Sequence, residues 1–246
     1  PQILADGPKY APQVFIRSVL STELAVGYMR NESDIDSRAF PFLWSEVTGY
    51  ELLPTGSDTS SVSAHAVTAD GSKIVGSSNE GTTYLWDRMG NYRLLEGLAA
   101  DISGDGRYLA GTHLNQVYRW SEDAGYEDLG WMDGWWSALA RATNFDGSVI
   151  VGSASMPGGQ RSWVWTADTG IVYIEDYLAM SGLEWGSFPI RGVVDVSWDG
   201  RTFVGNGSSQ GPWVATVPEP TGLGLVPGFL VLWHRVRRGY RESKLA

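Results

Sequence analysis

Of the residue types that do chemistry at protein sites, this chain combines few. Its three histidines are His65, His113 and His234, and no two are spaced as metal ligands or as a catalytic pair. Cysteine is absent, which excludes thiol catalysis, thiolate-bound metal centres and a disulfide framework. There is no Gly-x-Ser-x-Gly elbow, no Walker-type loop and no dinucleotide fingerprint. Carboxylates are plentiful. Asp70, Asp105, Asp146 and Asp199 each precede a glycine, which invites a calcium-loop or acid–base reading. They share one place in a repeating segment, however, so a ring of segments would spread them apart, and no Asp-x-Asp-x-Asp-Gly loop is present. The pattern predicts turn aspartates, no metal and no cofactor. The remaining candidates are aromatic. Trp131, Trp135 and Trp136 lie in a glycine-containing loop and Trp185 in a long insert, where an indole face could stack on a sugar ring. These four are the candidate ligand platform.

The segments that must position them repeat along the chain. Each of the four Asp-Gly pairs is followed five residues later by a second glycine: Gly76, Gly111, Gly152 and Gly205. Between them lie β-prone triplets such as Lys73-Ile74-Val75 and Val149-Ile150-Val151. An upstream copy has Ser21-Thr22 in place of Asp-Gly and ends at Gly27. A tryptophan follows each second glycine, at Trp44, Trp86, Trp120, Trp165 and Trp213, with Phe42, Tyr84, Tyr118 or Trp163 two residues before it in the first four. Spacing of two places both side chains on one face of a strand. Of the Trp-to-Trp distances of 42, 34, 45 and 48 residues, three fall in the range of blade-type repeats, about 40–50 residues, and one is shorter.

Asp-Gly between two β-prone runs predicts a hairpin, because glycine takes positive φ freely and aspartate tolerates it. The second glycine is expected to end a strand or admit a neighbouring backbone. Each unit then holds about four short strands, and such a sheet must bury both faces against its neighbours. The expectation is an all-β, β-propeller-like array of about five four-stranded repeats over residues 1–216. The array is expected to be incomplete at its N-terminal end, where the chain opens on Pro1 without a signal peptide. The last repeat, residues 193–216, lacks the fourth strand. Tyr177 to Met180 reads as a helical turn closed by Gly182.

Charge separates the array from the C-terminal segment. Residues 1–220 hold 13 basic and 27 acidic side chains, residues 221–246 five basic and one acidic. The acidic body excludes general nucleic-acid binding, which needs basic surface. Residues 217–246 form a distinct tail: Val217-Pro218-Glu219-Pro220, an uncharged apolar run from Thr221 to Trp233 broken by Pro227, then Arg235, Arg237 and Arg238. Positive charge beside an apolar segment marks the cytoplasmic side of a membrane insert, so the body would lie outside the cytoplasm.

That order of motif, apolar run and arginine cluster resembles the PEP-CTERM sorting signal of exported bacterial proteins. The resemblance implies that an exosortase, a membrane protease, recognises Pro218, Glu219 and Pro220. It also implies a short hydrophobic, helical anchor held transiently in the inner membrane before the tail is removed. Here the apolar run is shorter, and the basic tail longer, than that family's usual pattern. The body resembles the HAF-repeat family of extracellular proteins, on Ser103-Gly104-Asp105-Gly106, Ser197-Trp198-Asp199-Gly200, the Gly-ending strands and the aromatic-x-Trp strands. The family implies a propeller-like fold and no transferable active site. The resulting expectation is an exported, non-enzymatic cell-surface or matrix protein, adhesive or associated with extracellular polysaccharide. The alternative is a propeller-type lyase or glycosidase, which requires carboxylates from several repeats to converge in one pocket.

Overall fold

A computed structural model describes residues 13–21, 23–30, 38–57, 60–183, 190–207 and 211–219. The strands group into five antiparallel sheets, each a meander in chain order. Blade 1 is β1 (Gln13–Ser21), β2 (Leu24–Arg30), β3 (Ala39–Ser45) and β4 (Gly49–Leu52). Blade 2 is β5 (Val62–Val67), β6 (Lys73–Ser78), β7 (Thr82–Asp87) and β8 (Tyr92–Glu96). Blade 3 is β9 (Leu98–Ile102), β10 (Tyr108–His113), β11 (Gln116–Ser121) and β12 (Gly125–Asp128). Blade 4 is β13 (Ser137–Thr143), β14 (Val149–Met156), β15 (Gly159–Thr166) and β16 (Gly170–Tyr173), followed by helix α1 (Ile174–Met180). Blade 5 is β17 (Val193–Val196), β18 (Thr202–Gly207) and β19 (Gly211–Thr216); among the described residues it has three strands.

The Asp-Gly segments are the hairpins between first and second strands, as expected. In each, the residue two before the aspartate bonds in two directions. Thr68, Ser103 and Ser197 donate from the side-chain hydroxyl, and Asn144 from its amide, to the aspartate at 2.5–2.9 Å. The same side chains accept the backbone N–H five residues on, at 2.9–3.1 Å. The aspartate also accepts the N–H two residues beyond itself, at 2.9–3.1 Å. These bonds to the charged form hold Asp70, Asp146 and Asp199 below the usual carboxylate range. Glycine follows at φ near +70°. Successive turns are bonded to one another: Ala69 N–H to Gly104 O, Asp105 N–H to Phe145 O and Phe145 N–H to Trp198 O, at 2.9–3.0 Å.

The second glycine lies inside the second strand, not at its end. Its purpose is close approach: a Cβ on Gly152 would strike Leu139 O and the Trp163 ring. Facing each glycine across the ladder is an aromatic residue: Phe42 for Gly27, Tyr84 for Gly76, Tyr118 for Gly111, Trp163 for Gly152. In blade 5 the residue facing Gly205 is Trp213. The fifth tryptophan is therefore two positions out of phase with Trp44, Trp86, Trp120 and Trp165, a correction to the phase expected from spacing. The true equivalent is Ala215, which pairs with Phe203. In the other blades the second-strand partner is smaller, as in Ile74 with Trp86 and Ile150 with Trp165. The bulk has moved across the ladder, and Phe203 is fully buried.

The core lies between blades. Trp86 and Tyr84 pack back onto Leu24 and Val26 of blade 1, and Trp120 and Tyr118 onto Ala66 and Val75 of blade 2. Trp163 and Trp165 pack onto Ala110 and Val117 of blade 3. Helix α1 begins three residues before the sequence suggested, at Ile174, because Ile174 and Leu178, one turn apart, both enter the blade 4–blade 5 core. Gly182 closes it at φ +81°, with Gly182 N–H bonded to Ala179 O and Leu183 N–H to Leu178 O. Trp185, Pro220, the apolar run and Arg235, Arg237 and Arg238 lie outside the described residues. No described helix is long and apolar enough to cross a membrane.

Candidate functional site

Among the described residues, side chains that could do chemistry gather in two places, one expected and one not. The expected one is the loop from Gly130 to Trp136. Trp135 is its anchor: only 5% exposed, it lies in the blade 3–blade 4 core with its ring 6.3 Å from Trp163. Its indole N–H points at the Tyr173 hydroxyl, 3.4 Å away. Trp135 is therefore not available to a ligand, against the sequence expectation. Its neighbours are: Trp131 is 43% and Trp136 68% exposed. Trp131 meets Trp135 edge to face at 5.5 Å, and Trp136 N–H bonds Ser155 O of β14 at 2.8 Å. One buried indole thus holds a loop that presents two others. Sequence reasoning passed over a further exposed pair on the turns, Phe145 and Trp198, whose rings lie 5.8 Å apart.

The unexpected place is a cavity of about 290 Å³ where the first strands of all five blades converge, lined by Ser18, Ala66, Asp101, Thr143, Asp195 and Trp198 among others. Each first strand carries a bulge, at Arg17, His65, Ala100, Arg141 and Val194. The residues after the bulge are Ser18, Ala66, Asp101, Ala142 and Asp195, so two blades place a carboxylate there. Asp101 accepts Ile102 N–H on Oδ1 and, across the blade boundary, Thr143 N–H on Oδ2, both at 2.8 Å. Burial pushes its pKa up to about 7; the two N–H bonds oppose this, and the nearby Asp195 charge adds to it. Asp195 accepts Val196 N–H at 2.8 Å and is also raised by burial. The pair was missed because nothing local marks it. The one signal was aspartate before a β-branched residue at the same repeat position in two units.

His65 and His113 do not meet, and His234 lies outside the described residues. His65 is in β5, its Nε2 2.7 Å from Ser77 Oγ, and burial with Arg17 close by lowers its pKa to about 4. His113 is in the next blade, 4.0 Å from Glu96. No group of three or more metal-ligating side chains forms among the described residues. Pro218 and Glu219 are exposed beyond β19. Arg201 holds this exit, its guanidinium reaching Val217 O and, at 2.7 Å, Glu219.

The fold and its axial cavity define the chain as an all-β propeller of five blades. Among solved structures it is similar to TolB from Acinetobacter baumannii (TM-score 0.56, 18% identity, 82% of this chain against 52% of that one). It is also similar to the β-propeller domain of Cps50 (Swd1) from Myceliophteria thermophila (TM-score 0.57, 14% identity, 91% against 74%). A putative TolB from Agrobacterium tumefaciens is a third (TM-score 0.50, 14% identity, 80% against 71%). The chain spans about half the length of the first of these. At such identities the likeness is one of fold. No family model and no curated protein matches the sequence.

Proposed function

We propose that this chain is a non-enzymatic binding propeller, exported and sorted at its C-terminus by an exosortase-type protease, that associates with extracellular polysaccharide. The observation that supports binding is the loop in which buried Trp135 fixes exposed Trp131 and Trp136. Exposed indoles on a loop locked by its own anchor offer apolar faces to sugar rings with little ordering cost. Export rests on the tail motif, of which Pro218 and Glu219 are exposed after β19. The test has two arms. Trp131→Ala with Trp136→Ala should abolish retention on insoluble polysaccharide while the thermal midpoint stays put; undiminished retention refutes the binding reading. Removal of residues 217–246 should shift the protein between cell fractions; an unchanged distribution refutes sorting.

The second reading, a lyase or glycosidase, is favoured by one observation, that Asp101 and Asp195 line one cavity. A carboxyl with a raised pKa beside another carboxylate is the arrangement of acid–base hydrolysis. Turnover of any oligosaccharide that is lost in both Asp101→Asn and Asp195→Asn would establish it.

A further inference from the structure

The chain holds six Asp-Gly pairs, five of them among the described residues. Asp-Gly is also the dipeptide in which aspartate cyclises most readily, because glycine leaves the backbone nitrogen uncrowded and free to swing onto the side-chain carboxyl. In four pairs the fold blocks this at both reacting groups. The carboxylates of Asp70, Asp105, Asp146 and Asp199 are held by the side chain two residues before and the N–H two residues after. The glycine N–H groups that would attack are themselves bonded, Gly71 to Thr68 O, Gly106 to Ser103 O, Gly147 to Asn144 O and Gly200 to Ser197 O, at 2.8–3.4 Å. Asp70, Asp146 and Asp199 are also kept in the ionised form, which has no leaving hydroxyl.

The fifth described pair, Asp133–Gly134, lacks both sets of bonds. It lies in the loop between blades 3 and 4, and both residues are exposed. Among the described residues, neither the Asp133 carboxyl nor the Gly134 N–H has a hydrogen-bond partner. The turn around them is closed by one long bond, Trp135 N–H to Met132 O at 3.3 Å. A Cβ on Gly134 would have nothing within 4 Å, so the backbone there has room to turn. The chain's one Asn-Gly pair, Asn206–Gly207, is instead held extended in the β18–β19 ladder, opposite Pro212 and Gly211.

We propose that Asp133–Gly134 is a self-modifying site, at which aspartate converts to isoaspartate and the converted loop releases Trp131 from its seat on Trp135. The Gly134 nitrogen attacks Cγ of the protonated Asp133 carboxyl. The N–Cγ bond forms, the nitrogen's proton joins the departing hydroxyl, and one water departs, leaving a five-membered succinimide. Water then adds at one of the two ring carbonyls. Opening the N–Cγ bond restores aspartate. Opening the bond to the main-chain carbonyl carbon routes the chain through Cβ and leaves the α-carboxylate as the side group. Water is the only co-reactant. Isoaspartate lengthens the main chain by one atom inside the Met132–Trp135 turn, so the closing bond is lost. Trp135 stays in the blade 3–blade 4 core, and Trp131, which meets it edge to face at 5.5 Å, comes free. The chemistry is independent of the sugar-binding reading; only its effect on retention rests on that reading.

Ageing the purified full chain in buffer and mapping its peptides tests the chemistry. Cleavage after Arg119 and Arg141 isolates Asp133–Gly134 from every other Asp-Gly pair. Isoaspartate, and a succinimide lighter by one water, should accumulate at Asp133 at least about tenfold faster than at Asp70, Asp105, Asp146 or Asp199, the ratio given by a barrier difference of about 1.4 kcal/mol. In urea all five pairs should convert at similar rates, since the fold and not the dipeptide sets the difference. Conversion in the folded chain that is equal at the five pairs, or absent at Asp133, overturns the proposal. Asp133→Glu keeps the charge but disfavours the ring, which would have six members, and serves as the unconverted control. Limited chymotrypsin cleavage after Trp131 should be at least about tenfold faster in the aged parent than in aged Asp133→Glu; equal cleavage overturns the release of Trp131. Retention on insoluble polysaccharide should fall with age in the parent alone. Fresh protein that is not retained at all refutes the sugar-binding reading and leaves peptide mapping and cleavage to decide the site.

Discussion

Gly111 has no room for a methyl group. A Cβ there would lie 2.7 Å from Leu98 O and closer still to the Tyr118 hydroxyl, so Gly111→Ala must push apart either two strands or a strand and its aromatic cover. Overpacking of this kind costs about 1–3 kcal/mol, and the expected loss in a urea titration is at the upper end. Asp101 makes a prediction of opposite character. Its folded pKa, about 7, lies above the ordinary value of 3.8, so between these values the folded state binds the extra proton. Stability from this group therefore falls as pH rises from about 4 to 7. Thermal midpoints across that window should decline in the parent and decline less in Asp101→Asn; parallel slopes would mean that Asp101 titrates normally. Asp70, Asp146 and Asp199 act the other way, their contribution being lost as pH falls through the acid range. The two classes of aspartate look identical in composition and differ only in where the backbone N–H groups and the solvent are.

The hairpin turn is the element that the sequence announced most clearly, because all its determinants lie within six residues. Asn144 is the instructive variant. It is buried, donates to Asp146 and Ser148, and accepts Val149 N–H at 2.9 Å. Ser103 and Ser197 do the same work with a hydroxyl. Asn144→Ser should thus cost little, while Asn144→Ala strands the Val149 N–H and should cost about 1–3 kcal/mol in denaturant unfolding; equal costs would deny the side chain its role. Register was harder to read. Trp213 looks like the fifth member of a series until pairing with Gly205 shows that Ala215 holds the slot. Spacing along the chain does not reveal a partner across the ladder. The same holds for Trp135, whose burial depends on Trp163 and Tyr173, residues of strands that follow it. The first-strand bulges that turn Asp101 and Asp195 into the cavity also left no local mark. Turns and Gly–aromatic spacing were legible, then, and anything set by pairing or by a neighbouring blade was not.

At the scale of the molecule, and among the described residues, blades 2, 3 and 4 each share a core with both neighbours, blades 1 and 5 with one. In a stack held by nearest-neighbour interfaces, stability is approximately a sum over those interfaces, so the ends open first. Amide hydrogen exchange should follow this order. The second strands of the inner blades, β6, β10 and β14, are flanked by paired strands and by cores that include fully buried Trp86, Trp163, Leu109 and Ile150; they should exchange slowest. β1 has Ile16 and Val19 open to water and β19 carries exposed Val214; these should exchange fastest among the strands, although both are hydrogen-bonded along one edge. Hydrogen bonding alone predicts that β1 and β9, each the first strand of a four-stranded sheet, are protected alike. Interface counting predicts that β9 is protected far longer, because blade 2 covers it. Equal protection of β1 and β9 would show that the molecule opens as one cooperative unit and that its stability is not partitioned among blade boundaries.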